Sequence, residues 1–272
     1  MSIQPPTKAV ILARGLGSRM RKEADGVELS AQQAAAAERG VKAMIAIDRP
    51  FLDYVINELA DAGVDQVCLI IGPEHDIMRD YYGSLDTERV TISFAVQAEP
   101  LGTANAVLAA EEFAGDDRVL VINSDNFYPA AALRDLLAVP GSGLVGFTQR
   151  GMIEQSNIPA DRIAAFALVS RDEQSNMIDI FEKPDAETRA RLADDALVSM
   201  NCWLCGPTIF EAAKQIGPSA RGEYELPDAV RRAIELGDAY RVVVADCGVL
   251  DMSNRKDIAS VAAALEGRDV HL

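Results

Sequence analysis

KAVILARGLGSRMR, residues 8–21, decides how this chain is read. The apolar run Lys8–Ala13 passes straight into a loop holding Gly15 and Gly17. A glycine-rich turn after a buried strand leaves backbone N–H groups facing outward at a helix N-terminus, and such a place binds anions. A dinucleotide fingerprint needs glycine at its first, third and sixth positions, whereas Gly15-Leu16-Gly17-Ser18-Arg19-Met20 puts methionine sixth. A Walker loop needs Gly-Lys-Ser/Thr after a four-residue gap, and none follows. The loop therefore reads as a phosphate site of another kind.

Charge supports that reading. Asp and Glu number 42 against 26 Lys and Arg, a net charge of −16, which argues against the basic face that a nucleic-acid binder needs. Yet Arg14, Arg19, Arg21 and Lys22 cluster on this one loop, with no acid before Glu23. An acidic chain that gathers cations on its glycine loop is equipped for a small anionic ligand. No apolar run approaches the ~20 residues of a membrane span, and Met1–Pro6 has no signal-peptide pattern. A cytoplasmic protein without a membrane partner is expected. With 272 residues and no linker rich in Pro, Gly or Ser, residues 1–272 read as a single domain.

Strand-like runs at 8–13, 66–71, 90–97 and 118–123 alternate with helical periodicity. That alternation predicts an α/β fold: a Rossmann-like, mixed but mostly parallel sheet with helices on both faces. The helix after Pro50 is the clearest, with Phe51, Leu52, Val55, Ile56 and Leu59 on one stripe and Gly63 as its stop. A second runs over 103–114, and others lie near 129–138, 207–216, 226–236 and 255–266. Later strands are expected at 142–149, 162–169, 177–182, 196–204 and 241–246. Cys202 and Cys205 fall inside one of these, so they read as buried small hydrophobes rather than a redox or zinc pair.

In doubly wound sheets ligands bind at the carboxyl ends of the strands. Asp125 follows an aliphatic strand and suits magnesium, which wants carboxylate oxygen; a helix cap or turn is its alternative reading. Gln97, Gly102 and Thr103 offer amide and backbone groups to a flat heterocycle, or form a tight turn and a helix cap.

Taken together the segments resemble the sugar-1-phosphate nucleotidyltransferases, the family of glucose-1-phosphate thymidylyl- and uridylyltransferases and mannose-1-phosphate guanylyltransferases. "LARGLGSRMR" (12–21) resembles the family's L-A-x-G-x-G-S/T-R loop, and "VKAMIAIDRPFLDYVINELADAGV" (41–64) its following lysine segment and helix. "QAEPLGTANAV" (97–107) and "VINSDN" (121–126) are similar to its base-reading turn and metal aspartate. "FEKP" (181–184), "NCWLCG" (201–206), "SARGEYELPDAV" (219–230) and "LDMSNRKDI" (250–258) follow in family order.

The resemblance implies one fold with a nucleotide-binding half over about 1–125 and a sugar-binding half over about 126–272. It implies that Leu12, Ala13, Gly15, Gly17 and Ser18 hold the nucleotide, with Gln97, Gly102 and Thr103 at its base. Arg19 and Lys42 would stand beside the departing pyrophosphate and Lys183 beside the acceptor phosphate. Glu182, Asn201 and Glu223 would face the sugar, and Asp125 with Asp251 would hold Mg2+. The implied partners are a nucleoside triphosphate and a sugar 1-phosphate; a homo-oligomer is compatible with the family. Two rival classes are a non-catalytic nucleotide-sugar-binding regulatory paralogue and a cytidylyltransferase for a non-sugar phosphate.

Three departures stand out. Arg14 replaces the family's small residue, Ser253-Asn254-Arg255 replaces Gly-Thr-Pro after Asp251, and Ala167 replaces a common glycine. Arg19 and Lys42 also lie 23 residues apart instead of about ten. The excess reads as a turn at Asp25–Gly26 and then a short helix capped by Ser30 and ending near Gly40, with little apolar surface to bury. A lid over the triphosphate is the expected use, a surface excursion the alternative.

Overall fold

The computed structural model describes residues 7–15, 17–22, 29–192 and 196–272. Strands β1 (Lys8–Leu12), β2 (Gln66–Ile71), β3 (Thr91–Val96), β4 (Val119–Asn123), β5 (Asn126–Phe127) and β6 (Ser142–Phe147) come first. They are followed by β7 (Leu168–Arg171), β8 (Met177–Phe181), β9 (Leu197–Cys205), β10 (Tyr240–Ala245) and β11 (Leu250–Asp251).

The main sheet runs β10-β6-β9-β4-β1-β2-β3, with β7 on β9 and β8 on β7. β1 pairs in parallel with β2 and β4, and β2 with β3; β9 runs antiparallel to both β4 and β6. The alternation read from the sequence holds because each crossover needs a helix between parallel neighbours. Successive side chains then divide between the two faces. Ala9, Ile11, Leu69 and Ile122 pack with Phe51, Leu52 and Leu133 on one side. Val10, Cys68, Ile70 and Val121 pack with Val107, Phe210 and Val230 on the other. Each fully buried aliphatic side chain stabilises by roughly 2 kcal/mol before entropy is counted. Among the described residues no helix is long and apolar enough to cross a membrane.

Helices Phe51–Ala62, Thr208–Gln215, Leu226–Glu235 and Asp257–Leu265 match the predicted periodicity. Two expectations change. The helix expected over 103–114 is two, Thr103–Leu108 and Glu111–Ala114, with Ala109 as the C-cap between them. The strand expected from 162 starts at Leu168, because Pro159 opens a short helix, Ala160–Ile163. Cys202 and Cys205 are buried on β9, and burial drives both thiols upward, Cys205 to about 12. They are inert apolar packing, as the strand setting predicts.

Candidate active site

The carboxyl ends of β1, β2, β3 and β4 lie side by side, in the order β4-β1-β2-β3. Leu12, Ala13 and Gly15 leave β1, Gln97 leaves β3 and Asp125 leaves β4. With Lys42, Gly102, Thr103 and Glu223 they line one cavity of about 340 Å³. Nine residues read from the sequence thus meet in one place.

The loop after β3 is fixed by its own hydrogen bonds. Gln97 is buried, and its Nε2 donates to the Gly102 carbonyl at 3.0 Å and to Asn105 Oδ1 at 2.9 Å. Gly102 sits at φ 119, where a Cβ would lie 2.4 Å from the Tyr224 carbonyl oxygen, so only glycine fits there. The Thr103 hydroxyl accepts from the Leu226 N–H at 2.8 Å. Thr103 therefore ties this loop to the 223–226 segment, which is what brings Glu223 into the cavity wall.

Gly17 and Ser18 stand apart from that cavity. Gly17 has φ 58, and a Cβ there would fall 2.1 Å from the Gly40 carbonyl oxygen. Its glycine is required by contact with the C-terminus of helix Ala31–Arg39. That helix is capped by Ser30 with a reciprocal Gln33 bond, as its sequence suggests. Its packing is firmer than expected: Ala37 is fully buried, and Gln33 Nε2 donates to the Ala46 carbonyl at 2.8 Å. The turn read at Asp25–Gly26 lies outside the described residues. Ser18 is exposed and opens the short helix Ser18–Arg21.

Asp125 and Asp251 are 126 positions apart in sequence and adjacent in space. β11 pairs antiparallel with β5, Asp251 opposite Asn126, and the Met252 N–H donates to the Asp125 carbonyl at 2.9 Å. Lys42 Nζ reaches Asp125 Oδ2 at 2.7 Å. Asp251 accepts from Asn126 Nδ2 at 3.0 Å and is bridged by Arg162, which also binds Asp257 at 3.0 Å. Burial first, and then the neighbouring Asp125 charge, push the Asp251 carboxyl up to about 6. Two crowded carboxylates that resist ionising together suit a hard divalent cation, which relieves both penalties. No third His, Cys, Asp or Glu joins them in a metal-sized group among the described residues. That donor set fits magnesium, which takes one or two carboxylates and completes its shell with phosphate and water.

A second, larger cavity of about 820 Å³ is lined by Arg19, Arg162, Glu182, Lys183, Asn201 and Arg221, among others. Arg19 thus stands with the sugar-side candidates and Glu223 with the nucleotide-side ones, the reverse of their expected partition. Lys183 and Asn201 are two of the three non-glycine residues with positive φ among those described, at 45° and 56°. Backbone held in that region is uncommon and gathers at functional sites. Asn201 owes its position to a bulge. Leu144 pairs with Trp203 but Gly146 with Ser199, so β9 has two more residues than β6 across this stretch. Burial and the Glu225 charge push the Glu182 carboxyl up, offset by Arg221 and Arg231.

Sequence reasoning missed Arg162 and Asn126. Arg162 was hidden in the stretch read as strand. Asn126 next to "NSD" was visible, but nothing local told that β11 would pair there.

Fold and site define a class: a doubly wound α/β protein whose polar residues gather at the carboxyl ends of its strands, around paired carboxylates and a ring of cations. The chain belongs to the nucleotidyl transferase family, whose pattern matches residues 8–266. It is similar to the low-salt glycan biosynthesis nucleotidyltransferase of Haloferax volcanii, 29% identical over 92% of this chain and 64% of that protein. It is equally similar, at 29%, to a glucose-1-phosphate thymidylyltransferase of Streptomyces antibioticus, over 93% of this chain and 65% of that one. The chain thus spans about two thirds of the length of these relatives. A solved structure of a UDP-glucose pyrophosphorylase complexed with UDP-glucose superposes with a TM-score of 0.72 at 18% identity, covering 95% of this chain and 98% of that one. That likeness establishes the mixed, mostly parallel fold.

Proposed function

We propose that this chain joins a sugar 1-phosphate to a nucleoside triphosphate, giving a nucleoside-diphosphate sugar and pyrophosphate, in the cytoplasm. The observation that carries the reading is the junction of the two cavities. Asp125 lines one, Arg162 lines the other, and Asp251 joins them through β5–β11 pairing and the Arg162 bridge. The residues with phosphate and base chemistry line the first, and the cation-rich wall of the second suits an anionic acceptor.

A phosphate monoester with a second pKa of about 6 is mostly dianionic at neutral pH, so it attacks the α-phosphorus without a general base. What the reaction needs is two anions held together and the leaving charge neutralised. Lys42 would face the triphosphate from the first cavity, while Arg19 and Lys183 would draw the sugar phosphate into the second. Glu182 and Asn201 would accept and donate to sugar hydroxyls. Asp125 and Asp251 would hold Mg2+, which neutralises charge on phosphate oxygens when bound. Gly15 and the Ala13 backbone would line the phosphates.

The test is pyrophosphate release with magnesium across five nucleoside triphosphates and a dozen sugar 1-phosphates. One productive pair is expected; silence across the whole matrix would refute the reaction.

A further inference from the structure

Arg14 is the residue of the glycine loop that the family pattern does not explain. Its side chain is 8% exposed, yet among the described residues its Nη1 has no hydrogen-bond partner. A guanidinium taken out of water with a donor unmet is costly, and such a group is kept where something else supplies the acceptor. Arg14 also lines the 340 Å³ cavity, so a small turn of the guanidinium presents it to an acceptor there.

The direction of the side chain narrows what it meets. Arg14 leaves β1, and its Nε lies 3.4 Å from Glu74 Oε1, on the loop after β2. Strand order places that loop between β1 and β3, on the opposite side of β1 from Asp125. The guanidinium thus leans away from the carboxylate pair and toward Gln97. The loop that carries Glu74 is closed by the Gly72 N–H donating to His75 Nδ1 at 3.4 Å. Burial holds the His75 imidazole below its ordinary range, so at neutral pH it adds no second cation beside Arg14.

Gln97 completes the pattern. Its amide nitrogen is committed to the Gly102 carbonyl, which can only accept, and to Asn105 Oδ1. What Gln97 offers the cavity is Oε1, an acceptor. An acceptor and a charged donor in one cavity match a ring N–H beside an exocyclic carbonyl. Uracil, thymine and guanine carry that edge. Cytosine and adenine carry a bare ring nitrogen beside an amino group, which would set donor against donor and acceptor against acceptor.

We propose that Arg14 is a base-specificity residue, donating from its guanidinium to the exocyclic carbonyl of a uracil, thymine or guanine nucleotide, with Glu74 as the residue that positions it. This rests on the reading of the cavity as the nucleotide site.

The experiment is equilibrium binding with magnesium, in the absence of any sugar phosphate, of UTP, dTTP, GTP, CTP and ATP to the wild type, Arg14→Met and Glu74→Gln. The 5′-monophosphate of the preferred base is measured alongside. The wild type should favour one of the carbonyl-bearing bases over CTP and ATP. Arg14→Met should weaken that nucleotide by about tenfold or more and narrow the preference by the same factor, the scale of one hydrogen bond from a charged group. The loss should be equal for the mono- and triphosphate, because the contact is with the base. Glu74→Gln should narrow the preference in the same sense by a few-fold, and it carries the test alone if thermal melts show Arg14→Met unfolded. A wild-type preference for CTP or ATP, an unchanged ratio in the variants, or a loss that vanishes for the monophosphate would overturn the proposal. Binding as expected without pyrophosphate release from any sugar 1-phosphate would sink the proposed reaction and leave the role of Arg14 standing.

Discussion

Lys42 Nζ and Asp125 Oδ2 stand 2.7 Å apart, each side chain about four-fifths buried, and Asp251 is drawn to the same spot by strand pairing. Lys42 on Asp125 and Arg162 on Asp251 set two cations against the two carboxylates, and neutralising either carboxylate leaves its cation without a counter-charge. Asp125→Asn and Asp251→Asn should each lower turnover by about 100-fold or more, the order expected for loss of a preorganised charge contact. Both should keep near wild-type circular dichroism. Rates measured across a magnesium titration decide it: a variant that runs at wild-type speed does not hold the metal.

Lys183 follows β8 with φ 45 and lines the second cavity, away from Gln97 and Gly102. Lys183→Ala should therefore raise the KM for the sugar 1-phosphate by about tenfold or more while nucleotide affinity stays within about twofold. Calorimetry with each ligand separates the two. Equal weakening of both, or weakening of the nucleotide alone, would move Lys183 to the other substrate.

Helix Phe51–Ala62 shows what periodicity can and cannot report. Its apolar stripe is legible, and Pro50 and Gly63 mark its ends. Asp53 on the same helix is also fully buried, held by the Tyr81 and Tyr82 hydroxyls at 2.7 and 2.8 Å and by Arg49 at 3.1 Å. Arg49 is four residues away, but the two tyrosines come from another helix, Asp76–Ser84, so no short window of sequence contains them. The same holds at the site. Strand tips are written locally, and Gln97, Asp125 and Lys183 could be found there. The β5–β11 pair, the Arg162 bridge and the bulge that presents Asn201 depend on contacts across 50 to 130 residues.

Burial holds the Asp53 carboxyl above its ordinary value, although the two tyrosines and Arg49 work against that. The folded pKa being the higher one, the folded state keeps its proton while the unfolded chain has already released it, so stability falls as pH rises through that interval. The favourable contribution is complete below about pH 4 and gone above the raised value. Asp53→Asn cannot ionise. The melting temperature of the wild type relative to this variant should decline as pH goes from about 3.5 upward and then level off. A difference that is flat across this range would show that Asp53 titrates normally in the fold.

Gly17 carries the last prediction, because it links the glycine loop to the segment that separates Arg19 from Lys42. Its φ of 58 and the Gly40 carbonyl 2.1 Å from any Cβ leave no room for a side chain. Arg21 Nη2 donates to the Arg39 carbonyl at 3.0 Å beside that contact. Gly40 in turn lines the 340 Å³ cavity and is two residues from Lys42. Gly17→Ala must therefore push helix Ala31–Arg39 away from the loop or distort the loop itself. Left-handed strain and the clash together should cost about 1–3 kcal/mol, and the displacement of Gly40 and Lys42 should raise the nucleotide KM more than that of the sugar 1-phosphate. Were this helix a lid, hydrogen exchange over 33–40 should slow on adding nucleotide and magnesium in the wild type and much less in Gly17→Ala. Exchange that is unchanged by nucleotide in both proteins, with the KM shift still present, would make the helix a fixed wall of the site and end the lid reading.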